Sequence, residues 1–344
     1  MKRHHNTLYV TTQNAYLAAE GETVAVKVDR ETKLRIPLHL LEGIVCFGVV
    51  TCSPFLMRRC AEKGIGLSFL TEHGRFLARV EGPVSGNVLL RKQQFRLSDS
   101  EGASATLAKA FVAAKIANCR AVLMRCVRDH PETASAQILD SAAERLSVIL
   151  ERLTTMTNGL NSVRGLEGEA ANVYFSSFDA LIVRQKEDFV FKGRNRRPPT
   201  DAVNALLSFA YTLLAHDVSS ALESVGLDPQ VGFLHRDRPG RPGLALDIME
   251  ELRPVLGDRL VLSLINREQV KSKGFAKQET GAVMMDDKTR KVFLQAYQER
   301  KAVEIKHPYL GEKTTVGMIV HLQALLLARF IRGDIDGYPP FFWK

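Results

Sequence analysis

The sequence predicts an α+β fold in which a small β-rich N-terminal domain precedes a larger all-helical domain. Short runs in the first 80 or so residues alternate apolar and polar side chains, which is typical of strands. A segment with two glycines and a proline follows, and beyond it apolar residues recur at the helical spacing. We therefore expect a β-rich domain at 1–81, a linker at 82–90 and a helical domain at 91–344.

Strands and one helix are predicted within the N-terminal domain. Alternation at 23–28 and short apolar runs at 43–48 and 66–70 indicate strands, and the turn at 72–74 predicts a hairpin with the strand that follows. A helix is expected at 54–63. A sheet region this small exposes edges and faces that favour isologous pairing, so we expect this domain to form a homodimer.

The remainder of the chain has helical periodicity interrupted by polar breaks. Loops are expected at 129–134 and 194–199. A short helix at 244–252 is expected to end near Pro254, because proline cannot extend a helix. Longer helices are predicted at 107–128, 141–153, 200–215, 281–302 and 315–332.

Composition restricts the class of protein. The net charge of +9 favours a polyanionic partner over a small acidic substrate, although charge says nothing about the fold. Five cysteines without a Cys-x-x-Cys spacing indicate neither a disulfide framework nor a zinc knuckle. The chain has no N-terminal stretch typical of a secretory signal and no run of the roughly 18 apolar residues that span a membrane. These features favour a reducing cytoplasm.

Glu167 is the first candidate for chemistry. In a helix it would share a face with Ala171, Tyr174 and Phe178, at the i, i+4, i+7 and i+11 positions. A carboxylate on an apolar stripe is costly to bury unless it is paired or bound to a metal ion. The alternative is that Glu167 lies near a helix N-terminus, where the helix dipole favours negative charge.

His235 and the acidic residues after it form the second candidate. His235 ends an apolar run before a Pro/Gly-rich loop, and Asp247 and Glu250 share one face of the predicted helix beyond that loop. A loop that turns back would bring the imidazole against the carboxylates. One imidazole with two or three carboxylates suits Mg²⁺ or Mn²⁺ better than zinc. A hydrogen-bonded structural histidine beside a solvated acidic face is the alternative.

A basic loop is the third candidate. Residues 184–197 contain six basic and two acidic side chains, with two phenylalanines interleaved. Arginine matches phosphate geometry, and a basic loop can follow a nucleic-acid backbone without reading bases. A solvated loop beside a helix end is the alternative. The candidate DNA-binding residues are Arg184, Lys192, Arg194, Arg196 and Arg197.

In this order, the segments resemble the CRISPR-associated spacer-integration endonuclease family, the integrase subunit of prokaryotic adaptive immunity. The matching stretches are RGLEGEAANVYF at 164–175, FKGRNRRPPTDAVNALLSFAYTLL at 191–214 and VGFLHRDRPGRPGLALDIMEELRP at 231–254. IPLHLLEGIVCFG at 36–48 and LLRKQQFRL at 89–97 also fit. The stretch at 231–254 is most similar to the subtype that accompanies type I-C systems.

The resemblance implies a β domain followed by a helical catalytic domain. It also implies that Glu167, His235 and Glu250 hold Mg²⁺ or Mn²⁺ and are the catalytic residues, with Asp247 as an auxiliary ligand. Some members have aspartate where Glu250 stands. Asn204 and Tyr211 fall in a family stretch that lines or braces the site, although packing within a helical core explains them equally well.

The same resemblance implies the partners. These are a second copy of the chain, a small ferredoxin-like adaptation protein, and double-stranded DNA as captured fragments and CRISPR repeat. The implied reaction inserts fragments into the array by metal-dependent transesterification, in the prokaryotic cytoplasm. A non-catalytic DNA-binding scaffold and a general metal-dependent repair nuclease are the alternatives.

Overall fold

The computed structural model describes residues 6–82, 88–131, 134–157, 159–195 and 198–343. The described part of the N-terminal domain consists of eight strands, one α-helix and a short 3-10 helix at Leu38–Leu40. The helix, α1, spans Pro54–Lys63. The strands are β1 Thr7–Val10, β2 Ala15–Glu20, β3 Thr23–Val28, β4 Glu31–Pro37, β5 Gly43–Phe47, β6 Val50–Cys52, β7 Gly66–Leu70 and β8 Phe76–Val80.

The strands form two four-stranded sheets. One has the order β1-β5-β7-β8, in which β1, β5 and β7 are parallel and β8 closes a hairpin with β7. The other has the order β4-β3-β2-β6, in which β6 runs parallel to β2 and the remaining pairs are antiparallel. Helix α1 begins after Ser53, whose hydroxyl accepts a hydrogen bond from Leu56 N, and ends at Gly64 with φ of 65°.

Strand β5 joins the two halves of the molecule because it is buried on both faces. Ile44 and Cys46 belong to the core shared by the two sheets and α1. Val45 and Phe47 point the other way, as alternation along a strand requires, and belong to the core of the helical domain. The Phe47 ring lies 5.9 Å from the Phe209 ring, centroid to centroid. The two domains therefore pack directly against each other.

The second domain is predominantly helical, which confirms the predicted fold class. Two short antiparallel hairpins, β9–β10 and β11–β12, interrupt it and were not predicted. Their strands are β9 Phe275–Lys277, β10 Val283–Met285, β11 Glu304–Lys306 and β12 Lys313–Thr315. The helices are α2 Val88–Asp99, α3 Glu101–Asp129, α4 Ala134–Thr155, α5 Leu160–Ser177, α6 Ala202–Ser224, α7 Gly243–Leu252, α8 Arg259–Asn266, α9 Asp287–Ala302 and α10 Val316–Arg332.

Several predicted boundaries differ from the structure, including the starts of α3 and α4 and the end of α6, and three others are instructive. Helix α2 begins at Val88, so residues 88–90, which we placed in the linker, are helical, whereas 83–87 lie outside the described residues. The helix expected at 281–302 begins only at Asp287, because Asp286 caps it and the residues before it pair with β9. Helix α7 was expected to end near Pro254, but the chain remains helical beyond this residue. Pro254 lies in the first turn of a π-helical segment, where its missing N–H is tolerated, and that segment leads into α8.

Helix α6 is long and apolar enough to cross a membrane by length and composition alone. Within the described structure, however, Leu206, Leu214 and Leu222 are fully buried against other helices. We therefore interpret α6 as the central core helix of the second domain.

Candidate metal centre

Helix α5, helix α7 and the loop before α7 bring the predicted ligands together. Glu167 lies on α5, Glu250 on α7, and His235 at the start of the Pro/Gly-rich loop. That loop turns back as predicted, since Gly243 N donates to Gln230 O at 3.0 Å. A Cβ added to Gly232 would lie 2.7 Å from the Gly243 carbonyl carbon, so only glycine permits this approach of two backbones.

Asp247 fixes the position of His235. Its Oδ2 accepts hydrogen bonds from Phe233 N at 2.6 Å and Leu234 N at 3.0 Å, and its Oδ1 accepts one from His235 N at 3.0 Å. Oδ1 also lies 2.6 Å from His235 Nδ1. Because a carboxylate is the partner, Nδ1 is the protonated ring nitrogen, which leaves Nε2 as the nitrogen with a free electron pair.

His235 Nε2 faces Glu250, with 3.7 Å between Nε2 and Oε1. The two oxygens of Asp247 are already engaged by four donors, and the side chain is fully buried. The structure therefore places Asp247 as the support of the imidazole. It gives no sign of the auxiliary ligand role that the family resemblance implied.

A lysine that sequence reasoning missed lies between the two glutamates. Lys115 of α3 is buried, its Nζ contacts Glu167 Oε1 closely, and it lies 2.7 Å from Glu250 Oε2. Among the described residues no group of three His, Cys, Asp or Glu side chains forms a ready metal site. The physical reason is that the ammonium group occupies the space between the carboxylates.

The residues present nevertheless fit a divalent cation. Two carboxylates already share one positive charge, and an oriented imidazole nitrogen points towards one of them. Glu250 Oε2 accepts no well-directed hydrogen bond in the described part of the chain, so its contact with the ammonium is mainly electrostatic. Oxygen ligands with one imidazole suit Mg²⁺ or Mn²⁺.

Glu250 is ionised at neutral pH. Only 2% of the side chain is exposed, and burial alone would raise its pKa. Arg253, Lys115 and His235 outweigh burial and lower the pKa to about 2. Arg253 Nη1 donates to Glu250 Oε1 at 2.6 Å, which makes this arginine a second unpredicted member of the site. The carboxylate is therefore held in the form that binds a cation.

Basic side chains line the cleft beside these ligands. The cleft has a volume of about 650 Å³, and its walls include Lys115, Glu167, Lys192, Arg194 and Arg253. An adjoining cavity of about 920 Å³ shares Arg194 and Arg253 with this cleft. The cleft can therefore accept an anionic group next to the carboxylates.

Tyr211 lines the same cleft, as one of its two predicted roles requires. The guanidinium groups of Arg194 and Arg253 each lie 5.2 Å from the centre of its ring. Its hydroxyl donates to Asp258 Oδ1 at 2.6 Å, and the Tyr174 hydroxyl donates to Asp258 Oδ2 at 3.0 Å. Burial raises the pKa of Asp258 to about 6, although both tyrosines oppose the rise. By accepting both hydrogen bonds, Asp258 of the π-helical segment orients two tyrosines of the cleft wall.

Asn204 is fully buried and braces the basic loop. Its Oδ1 accepts from Arg194 Nη1 at 2.7 Å and from Asn195 N at 3.1 Å, and its Nδ2 donates to Gly193 O at 2.9 Å. Arg184 and Lys192 are exposed on this loop. Arg196 and Arg197, also predicted to bind DNA, lie outside the described residues.

Comparison with known proteins identifies the family of this chain. The family model described as "CRISPR associated protein Cas1" matches residues 8–299. The chain is 57% identical over 344 residues to CRISPR-associated endonuclease Cas1 1 of Chlorobaculum tepidum, and all of both chains is covered. It is 51% identical over 347 residues to CRISPR-associated endonuclease Cas1 2 of Rhodospirillum rubrum, again with complete coverage of both.

Solved structures share the fold. A casposase bound to an integration product has a TM-score of 0.82 at 22% identity, with 98% of this chain and 94% of that chain covered. A CAS1 protein from Thermotoga maritima has a TM-score of 0.79 at 23% identity, with 95% and 97% covered. A Cas6-RT-Cas1–Cas2 complex has a TM-score of 0.81 at 23% identity; 99% of this chain is covered, but only 36% of that longer chain.

Proposed function

Because this chain belongs to the Cas1 family, we propose that it is a CRISPR-associated endonuclease and integrase that inserts short DNA fragments into the CRISPR array. One observation supports the catalytic part of this proposal above the others. Glu167 and Glu250 flank the Lys115 ammonium at the edge of a basic cleft, and the oriented Nε2 of His235 faces Glu250.

We propose Glu167, His235 and Glu250 as the ligands of one Mg²⁺ or Mn²⁺ ion. A bound ion would supply Lewis-acid stabilisation of charge on the phosphoryl oxygens. Asp247 keeps the ligating face of His235 towards Glu250 by holding Nδ1. Lys115 supplies positive charge between the two glutamates when the ion is absent and has to withdraw when the ion enters.

The reaction is a transesterification. The 3′-hydroxyl of a captured fragment attacks a phosphodiester at the edge of the repeat, and the 3′-oxygen of the cut strand leaves. Lys192, Arg194 and Arg253 line the cleft and would bind the phosphates on either side of the reacting bond. Tyr211 and Asn204 hold Arg194 in place, the first by stacking and the second by a hydrogen bond.

We propose that the β-rich domain forms a homodimer and that the dimer joins a small ferredoxin-like adaptation protein. Large apolar side chains are exposed on this domain, among them Val49 at 62%, Phe76 at 53% and Leu77 at 57%. Such side chains favour burial against another protein surface. Two of the solved relatives are Cas1–Cas2 complexes by name. A monomeric mass by light scattering at micromolar concentration would oppose the dimer.

The finer assignment to the type I-C subtype rests on the motif at 231–254, and we propose it on that ground alone. Cytoplasmic location is likewise a proposal, based on the composition of the chain.

The test of function is a joining reaction with a supercoiled plasmid that contains a CRISPR repeat. Purified protein, a short duplex with free 3′-ends, the small partner and Mg²⁺ or Mn²⁺ are combined, and covalent joining is measured. An integrase joins the duplex to the plasmid. Cutting without joining would indicate a repair nuclease, and neither cutting nor joining would indicate a DNA-binding scaffold.

A further inference from the structure

The chain's only tryptophan, Trp343, lies under two half-buried arginines. The guanidinium of Arg259 on α8 is 4.9 Å from its ring centroid, and that of Arg300 on α9 is 5.1 Å away. Arg125 of α3 is close enough that its charge lowers the pKa of both. Three helices thus bring positive charge to one aromatic ring. We call Arg125, Arg259 and Arg300 around Trp343 the arginine cluster.

Among the residues that the structure describes, the arginine cluster lacks matching negative charge. Within the described ranges no carboxylate lies within 4.0 Å of Arg259 or Arg300, and Arg125 has only the exposed Asp129, at 3.5 Å. Arg259 Nη1 and Arg300 Nε are buried and donate no hydrogen bond to described groups. The hydrogen bond that Arg300 makes to a described group is long, 3.4 Å from Nη2 to Val255 O. Buried donors on a charged group are costly to leave unpaired.

The electrostatic cost is visible in the pKa values. Burial first, and then Arg300 and Arg125, lower the pKa of Arg259 to about 10, against the opposing effect of Asp129. Burial and Arg125 lower the pKa of Arg300 in the same way. An anion bound at the cluster would supply both the missing charge and the missing hydrogen-bond acceptors.

The Trp343 ring is held in place although it lies near the end of the chain. Trp343 N donates to Asn118 Oδ1 at 2.7 Å, and Asn118 Nδ2 donates to Phe341 O at 2.8 Å. Asn118 is itself buried on α3, so the ring is held by a core helix. Trp343 also lines a cavity of about 490 Å³ together with Lys306, although the three arginines themselves do not line that cavity.

We propose that the arginine cluster is a second anion site, separate from the metal cleft, that binds a backbone phosphate of duplex DNA. Arginine suits this ligand because its planar fork donates two parallel hydrogen bonds to phosphate oxygens and it stacks on aromatic rings. None of its three arginines is among the residues that line the cleft at Glu167. The choice of DNA as the source of the phosphate rests on the proposed function, whereas the anion site itself does not.

Trp343 provides the measurement, since it is the only tryptophan in the chain. The full-length protein is titrated in EDTA with a short blunt duplex and, separately, with inorganic phosphate, while tryptophan emission is recorded. We expect a saturable change with the duplex. Arg259→Gln and Arg300→Gln should raise the midpoint roughly tenfold, as expected for one lost charge-assisted hydrogen bond. Each lost phosphate contact should lower the log–log salt slope by about 0.9.

Two further variants keep the test independent of folding. Arg125→Gln changes an exposed side chain whose pair with Asp129 is worth little, so it should weaken duplex binding without lowering the melting temperature. Arg145→Gln, an exposed arginine of α4, is the matched control and should bind as the wild type does.

The outcomes separate the alternatives. No emission change with either ligand, or an equal midpoint in wild type and Arg125→Gln, would overturn the site. Saturation by inorganic phosphate without any response to the duplex would support an anion site and overturn DNA as its source. EDTA keeps divalent ions and strand transfer out of the measurement, so failure of the proposed chemistry would leave this result unaffected.

Discussion

The Lys115 ammonium and the Glu250 carboxylate form a buried ion pair, with 2.7 Å between Nζ and Oε2. The same Nζ contacts Glu167, so one cation from α3 connects carboxylates on α5 and α7. Burial would lower the pKa of Lys115, but Glu250 and Glu167 raise it, and the lysine stays charged. A divalent ion that uses both glutamates must therefore compete with an ammonium group that belongs to the protein.

The first prediction concerns this competition. Lys115→Met should destabilise the metal-free protein by about 3 kcal/mol, because removal of one partner leaves buried negative charge unpaired. Mn²⁺ should then raise the melting temperature of Lys115→Met more than that of the wild type, since the ion no longer displaces a cation. Thermal melts with EDTA and with Mn²⁺ measure both effects.

Lys63→Met is the control for a lysine ion pair at the surface. Lys63 pairs with Glu22 at 2.8 Å, but both side chains are largely exposed, so its removal should change stability by less than about 1 kcal/mol. Equal stabilisation of wild type and Lys115→Met by Mn²⁺ would show that Lys115 does not occupy the place of the ion.

The second prediction tests the proposed ligands. Glu167→Ala, His235→Ala and Glu250→Ala should each abolish strand transfer and leave the circular dichroism spectrum of the folded protein unchanged. The reason is that each removes one donor from a site that has few. Glu169→Ala is the matched control on α5, because Glu169 is exposed and pairs with Arg152 at 3.0 Å. Near-normal joining by one of the three variants at saturating metal would remove that residue from the ligand set.

The third prediction concerns Asp247. Asp247→Asn should weaken Mn²⁺ binding by about 10–100-fold, the usual cost of losing the partner that orients a ligating histidine. An amide has only one acceptor oxygen, so it cannot serve the three backbone N–H groups and the ring nitrogen together. Calorimetric titration with Mn²⁺ measures the effect. Unchanged affinity would mean that the imidazole is oriented by packing alone.

Local signals in the sequence explain why much of this site was predictable. Glycine and proline residues in the loop before α7 indicate that the chain reverses there. The spacing of Asp247 and Glu250 places them on one face of a helix. Helix α1 was predicted at 54–63, and the structure shows a serine cap, a proline and a glycine at its ends.

Lys115 could not be predicted in the same way. It lies in an Ala-rich helix, where a single lysine is usually assigned to the solvent-facing side. Its burial depends on α5 and α7, which pack against α3 from distant parts of the chain. A weak signal existed for Arg253, which follows Glu250 by three residues, as an ion pair within a helix would require. Tertiary packing decided the role of both cations.

The fourth prediction concerns Glu251, which is buried beside the proposed ligand Glu250 on α7. Burial raises its pKa from an ordinary value of 4.5 to about 7, although Tyr338, Phe341 N and Gln323 oppose the rise by donating hydrogen bonds. Because the pKa is higher in the folded state, the resulting stability is complete below about pH 4.5 and is lost as the pH rises through about 7. The rise corresponds to about 3 kcal/mol at most.

Glu251→Gln should remove this pH dependence, since an amide of the same shape cannot ionise. Denaturant unfolding at about pH 5 and about pH 8 should show a smaller loss of stability in the variant than in the wild type, because Asp258, whose pKa is raised to about 6, contributes a loss of its own in both proteins. Glu144→Gln, at an exposed position of α4, should retain the wild-type difference. The same pH dependence in wild type and Glu251→Gln would assign it to another group.

The last prediction concerns how the basic loop holds DNA. Arg184 and Lys192 are exposed, and the nearby Asp201 accepts hydrogen bonds from Asn204 and from Asn195 of the loop. The described part of the loop, 184–195, contains no recognition helix, so its charges should contact phosphates and not bases. Arg184→Ala and Lys192→Ala together should lower the log–log salt slope of duplex binding by about 2, since each phosphate contact contributes about 0.9.

The weakening should be the same for unrelated duplexes. Lys186→Ala is the matched control, because Lys186 lies on the same loop but pairs with Asp179 at 3.6 Å, and its loss should change the slope less. Affinity for several duplexes across a salt series is the measurement. An unchanged slope would make the loop a solvated surface, and a loss confined to one duplex would mean that it reads bases.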